Sequence, residues 1–150
     1  MKSYLLALPL LCLPACAGIT EASSVAPAMV VVDEQDVIRE EAPPHGKIGM
    51  STAYRISDQA PDRTMEFRKR SLHPGAAVGE HVIAHDEVYY VVSGRGIVIS
   101  DGEERELTTG MSAYLYDGAN VGIRQIGDEP LVLIISYPIP GHPRLAEKDQ

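Results

Sequence analysis

Gly75-Ala76-Ala77-Val78-Gly79-Glu80-His81-Val82-Ile83-Ala84-His85-Asp86-Glu87-Val88-Tyr89-Tyr90-Val91-Val92-Ser93-Gly94-Arg95-Gly96 packs two histidines and two acids between His81 and Glu87, ahead of a β-branched and aromatic run. Glycines at 75, 79, 94 and 96 bracket it as turn residues. Side chains alternate between faces along a strand, so Glu87, Tyr89 and Val91 share a face, and His81, Ile83 and His85 have the same parity. Two imidazoles and a carboxylate aimed one way suit a 2-His-1-carboxylate metal site. In a straight strand His81 and His85 lie roughly 13 Å apart at about 3.3 Å per residue. A shared ion therefore demands a bend near Ile83-Ala84, with His81 ending one strand and Glu87 starting the next. The competing reading is a His-rich loop at a strand end that binds nothing.

These residues resemble the first motif of the cupins, G-x5-H-x-H-x3-E-x6-G. Gly75, His81, Glu87 and Gly94 stand at its separations, and Pro74 precedes Gly75 as is typical. Ile83 occupies the second histidine position, and His85 is the candidate to replace it. The second cupin motif, G-x5-P-x-G-x2-H-x3-N, lies over Gly110 to Gln125. Gly110 and Gly118 match, while Tyr116, Val121 and Gln125 replace its proline, histidine and asparagine. The resemblance covers roughly Thr64 to Pro138. It implies an all-β fold, a double-stranded β-helix or jelly-roll-like barrel. It also implies a metal site, here reduced to His81, His85 and Glu87, for a divalent ion such as iron, manganese, nickel or zinc. Tyr89 and Gln125 are the candidate ligand-binding residues beside it.

Around this centre the chain reads as β-structure throughout. Met50 to Ile56 alternates loosely, and Ser57 to Asp62 is a turn cluster. Thr64 to Leu72 puts Met65 and Phe67 on one face and Glu66, Arg68 and Arg70 on the other. An exposed charged face is the default for that row; an anionic ligand in the barrel is the alternative. Asp101-Gly102 marks a type I′ hairpin between Ile97–Ser100 and Glu103–Leu107. Met111 to Tyr116 and Val121 to Ile126 are further strands. Leu131 to Tyr137 is a continuous apolar run suited to a strand buried on both faces. Many short strands between turns give a sandwich or small barrel.

The 150-residue chain opens with an export segment. Lys2 supplies a positive charge and Leu5 to Leu13 an apolar run too short to span a bilayer. Leu13-Pro14-Ala15-Cys16 resembles a lipobox, with Cys16 lipidated, whereas Ala15-Cys16-Ala17 reads as a small-x-small cleavage site. The Ala/Ser/Thr-rich stretch after it suits a tether, which favours the lipoprotein. The expected domains are a signal peptide (1–17), a tether and arm (18–44), a barrel (45–142) and a tail (143–150). The two cysteines, Cys12 and Cys16, lie in the leader, so the mature fold has no disulfide framework. With 21 acidic against 13 basic residues and a net charge of -8, nucleic-acid binding is set aside.

The function expected is an exported cupin, periplasmic or lipid-anchored, that binds a small molecule in its barrel. One alternative is a metal-dependent oxygenase or isomerase acting on a small polar substrate; another is a structural envelope protein. Contact with a membrane is expected only through a lipid on Cys16. By resemblance a homodimer is expected, with the arm from Val30 to His45 covering a sheet edge. Tyr114 and Tyr116 belong to the core or to that interface.

Overall fold

Ten antiparallel strands form two facing sheets in this computed structural model, which describes residues 27–139 and 141. The strands are β1 (Ile38–Glu41), β2 (Ser51–Tyr54), β3 (Met65–Leu72), β4 (Ala77–Val82) and β5 (Glu87–Ser93). They continue with β6 (Arg95–Ser100), β7 (Glu103–Thr108), β8 (Ser112–Leu115), β9 (Asn120–Gln125) and β10 (Leu131–Pro138). One sheet has the order β1-β2-β3-β10-β5-β8 and the other β4-β9-β6-β7. Short 3₁₀ turns at Glu34–Val37 and Ser57–Gln59 are the helical elements among the described residues. This is the expected β-barrel.

Alternation builds the core. Leu131, Leu133 and Ile135 of β10, Tyr89 and Val91 of β5, and Val121 and Ile123 of β9 point inward and pack with Leu72, Val78, Val98, Leu107 and Leu115. Each such aliphatic removes enough apolar surface from water to stabilise the fold by about 1.5–3 kcal/mol. The β6–β7 hairpin closes at Asp101 and Gly102, both at positive φ (50° and 82°), as a type I′ turn requires.

Several expectations need correction. β1 lies within the stretch expected to be a tether and arm outside the barrel, yet it pairs with β2 and forms an edge of the larger sheet. The barrel thus starts well before position 45. The row on β3 is inverted: Glu66 and Arg70 are each 3% exposed, whereas Met65 is 56% and Phe67 44% exposed. Burial of these charges is tolerated because each has a partner, described below. β10 is not buried on both faces, since Val132, Ile134 and Ser136 are only half-buried on its outer side. Tyr114 and Tyr116 are surface residues, not core. Gly79 and Gly96 sit inside β4 and β6 rather than in turns. The leader, Cys16 and the tail fall outside the described residues.

Candidate functional site

The chain bends after Val82 and resumes as β5 at Glu87, so Ile83 to Asp86 form the expected corner. Beside it opens a cavity of about 440 Å³. β3 contributes Arg68 and Arg70, β5 Glu87 and Tyr89, and β10 Ile135 and Tyr137. His81 and His85 line it from β4 and the corner, and Pro44 and His45 from the segment after β1. Drug-sized ligands occupy clefts of roughly 300–1,000 Å³ with a few convergent polar groups, which this cavity matches. A larger depression of about 560 Å³ lies among the turns at Gly94, Thr108 and Gly127. It is a more open surface, and no histidine or tyrosine lines it.

Glu87 is the most unusual group in the cavity. It is 5% exposed, and its carboxyl has no hydrogen-bond partner among the described residues. Burial raises its pKa to about 7, with the Arg68 charge pulling the other way. His85 Nε2 lies 3.8 Å from Glu87 Oε2, too long for a hydrogen bond. Burial also lowers the pKa of His85, against the pull of the Asp117 and Asp86 charges. Because both shifts favour the uncharged forms, the pair is an acid and an imidazole rather than a fixed ion pair. The His85 ring stacks on Tyr137, with centroids 4.3 Å apart, and its buried Nδ1 has no partner among the described residues.

His81 is drawn elsewhere. Its ring lies parallel to that of His45, with centroids 3.5 Å apart. Since a carbonyl can only accept, Nδ1–H donates to the Gly79 carbonyl at 3.0 Å. A Cβ on Gly79 would collide with the His45 carbonyl oxygen, so glycine lets the His45 segment cross β4 closely. His45 itself has φ 55°. The expected metal triad is therefore not assembled: His85 and Glu87 face each other, while His81 is held against His45. Among the described residues no group of three or more His, Cys, Asp or Glu side chains is placed to hold a metal ion. Ile83 and Val121, at the two substituted histidine positions, are core residues at 3% and 0% exposure. The side chains present do not fit the metal that the resemblance implies.

The two expected ligand-binding residues part company. Tyr89 does line the cavity, buried beneath Glu87, with its phenol pKa raised chiefly by burial. Gln125 does not, which is a second correction. Its Oε1 accepts from Gly75 N–H at 2.8 Å, and its Nε2 donates to the Gly127 and Glu129 carbonyls, both at 2.8 Å. Both amide protons and one lone pair of the oxygen are used in tying two turns together.

The sequence reading kept the cavity's cationic wall only as its alternative and missed Tyr137. Arg70 Nη1 donates to Ser51 Oγ at 2.6 Å and Nη2 to Glu41 Oε1 at 2.9 Å. Arg68 Nε donates to Glu66 Oε1 at 3.1 Å, and its Nη2 lies 2.8 Å from the same oxygen. Glu66 Oε1 also accepts from Ser57 Oγ at 2.7 Å. These contacts hold the Glu66 carboxyl below the usual range despite burial, which opposes them. The alternation from Met65 to Arg68 marked the row; nothing local marked its direction.

Comparisons with known proteins agree with this architecture. The family model described as a cupin domain matches residues 69–137. An uncharacterized protein of Methanocaldococcus jannaschii is 34% identical over 71 residues, which cover 43% of this chain and 57% of that protein. The chain thus spans just over half the length of this relative. A Thermotoga maritima protein described as a predicted oxalate decarboxylase superposes with a TM-score of 0.65 at 19% identity, over 73% of this chain and 99% of that one. A Cupin 2 conserved barrel domain protein from Salinispora arenicola superposes with a TM-score of 0.61 at 18% identity, over 83% of this chain and all of that one (100%). At such identities the likeness establishes the fold, a cupin β-barrel.

Proposed function

We propose that this cupin barrel binds a small polar molecule in the cavity between β3, β5 and β10. The observation that carries the reading is the Glu87–His85 pair: a carboxyl that is 5% exposed facing an imidazole whose buried Nδ1 has no partner among the described residues, in a cavity of about 440 Å³. A buried polar group left unpaired costs about 1–3 kcal/mol. The buried His85 Nδ1 is such a group, and a ligand that hydrogen-bonds to it while meeting the Glu87 carboxyl removes that cost. Tyr137, Tyr89 and Ile135 supply the apolar walls that make the contact strong.

A second reading rests on the same pair. A carboxyl that titrates near neutrality is matched to proton abstraction and return, and the imidazole beside it is a second proton carrier. Near pH 7 the ionised fraction of Glu87 then takes a proton from bound substrate and returns that proton to a neighbouring atom, as an isomerase requires. Neither reading routes a step through a metal. Export rests on the leader from Met1 to Ala17, with Cys16 as its lipidation site. A homodimer across the outer face of the larger sheet would cover Phe67, Tyr90 and Tyr114, which stand exposed on β3, β5 and β8.

Protein-detected NMR with a library of small polar metabolites separates the readings. Binding predicts shifts at Ala84, His85, Glu87 and Tyr137. Turnover further predicts that a bound compound exchanges a carbon-bound proton with D₂O in wild type and not in Glu87→Gln. Binding without exchange leaves a binding protein; absence of shifts in the cavity refutes both.

A further inference from the structure

We propose that the ligand of this cavity is a carboxylate, received by the unused edge of the Arg68 guanidinium. The inference rests on the binding reading above and specifies its ligand class.

Arg68 sits on β3 in the row that faces inward, where its partner across the sheet is Ile135 of β10. Its side chain is one-quarter exposed and lines the cavity. The guanidinium carbon lies 5.8 Å from the Tyr137 ring centroid, so the ring flanks the cation and limits its motion. Glu66 grips one edge only, through Nε and Nη2 on a single oxygen. Nη1 has no partner among the described residues and is not enclosed, which leaves the Nη1/Nη2 end of the fork for a planar anion. Guanidinium recognises carboxylates through two parallel N–H···O bonds, and such pairs are stronger than neutral ones.

The charge around the cavity favours a single negative charge. Arg70 is occupied by Ser51 and Glu41, so its charge is already answered within the protein. Glu66 answers part of the Arg68 charge and orients it. One partly free guanidinium suits a carboxylate, whereas a phosphate dianion calls for more cationic groups than this wall has. A carboxylate on Arg68 would bring the rest of a small molecule towards Tyr137 and the Glu87–His85 pair, whose stacking and 3.8 Å contact join the same wall.

The test uses matched probes differing in charge: benzoate against benzamide, succinate against succinamide, phenyl phosphate, and the neutral polyol erythritol. Affinities are read by NMR titration of the full chain. Wild type is expected to bind at least one carboxylate at least tenfold more tightly than its amide. Arg68→Met should abolish that preference, while Arg105→Met, on the exposed β7 surface, should leave it intact. Because Arg68→Met strips Glu66 of a partner, the double variant Glu66→Gln/Arg68→Met provides the same measurement without an uncompensated buried charge. Tighter binding of phenyl phosphate, or equal binding of acid and amide, overturns the carboxylate assignment. Binding of erythritol or amides alone overturns it too, and leaves small-molecule binding standing. If no probe binds, both are overturned.

Discussion

Replacing Glu87 with glutamine should stabilise the protein, and only above acidic pH. The carboxyl is 5% exposed, and its pKa rises from 4.5 to about 7. At about 1.36 kcal/mol per pKa unit, that displacement corresponds to about 3 kcal/mol. Below pH 4.5 the carboxyl is protonated in both the folded and unfolded states, and its contribution is at its most favourable. As pH rises towards 7 the unfolded state sheds the proton and the folded state retains it, so stability falls. Above pH 7 both states are ionised, and the folded protein carries the full penalty of a buried charge. Glutamine keeps the shape and cannot ionise. The groups facing Glu87 are Arg68 on β3, Tyr137 on β10, Tyr89 on β5 and His85 at the corner; all are common to both proteins, so their titration largely cancels in the comparison. Urea unfolding of both proteins at pH 4.5, 6, 7 and 8 should show a difference growing from near zero to about 3 kcal/mol in favour of Glu87→Gln. At an m-value of about 1–2 kcal/mol per molar, the midpoint moves by about 2 M. A difference that does not change with pH, or a variant less stable than wild type at pH 8, would refute a carboxyl held neutral by burial.

Gln125→Leu should lose about 1–3 kcal/mol, because the Gly75 N–H and the Gly127 and Glu129 carbonyls lose their partner, while ligand affinity stays unchanged; paired unfolding and binding curves check it. Gly79→Ala should displace the His45 segment and break the His45–His81 stack, seen as loss of inter-ring NOEs, since the new methyl meets the His45 carbonyl. The proposed homodimer should be converted to monomer by Tyr90→Glu in analytical ultracentrifugation without unfolding, as Tyr90 faces outward at 44% exposure; a wild type that is already monomeric would remove that proposal. Protein purified without chelator should hold well under one equivalent of metal, and His81→Ala should not alter that value, because His81 is turned towards His45; stoichiometric metal lost in His81→Ala would restore the triad.

The fold was written in short-range signals. Turn glycines, the Asp101-Gly102 pair and alternating apolar residues specify where strands begin and end, and their spacing carried the cupin resemblance. The corner between His81 and Glu87 was legible because reach alone demanded it. What escaped was direction. Period-2 alternation tells which of Met65 to Arg70 share a face, but not which face turns inward. That depends on Ser57, Ser51 and Glu41, which come from other segments to satisfy Glu66 and Arg70. His81 illustrates the same limit. Its parity pointed at Glu87, but β4 carries an irregularity between Val78 and His81, and the His45 segment supplies a competing ring. Gln125 looked like a ligand group because its partner at Gly75 is 50 residues away and nothing local showed that its amide turns back onto Gly127 and Glu129.

The central claim is that small molecules bind at Glu87 inside the barrel. Its most direct measurement is an amide and side-chain NMR titration of wild type and Glu87→Gln with the compound that binds most tightly. The account predicts shifts confined to Arg68, Ala84, His85, Glu87 and Tyr137, with affinity reduced by at least tenfold in the variant. Shifts centred instead on Gly94, Thr108 and Gly127, or equal affinity in the two proteins, would contradict it.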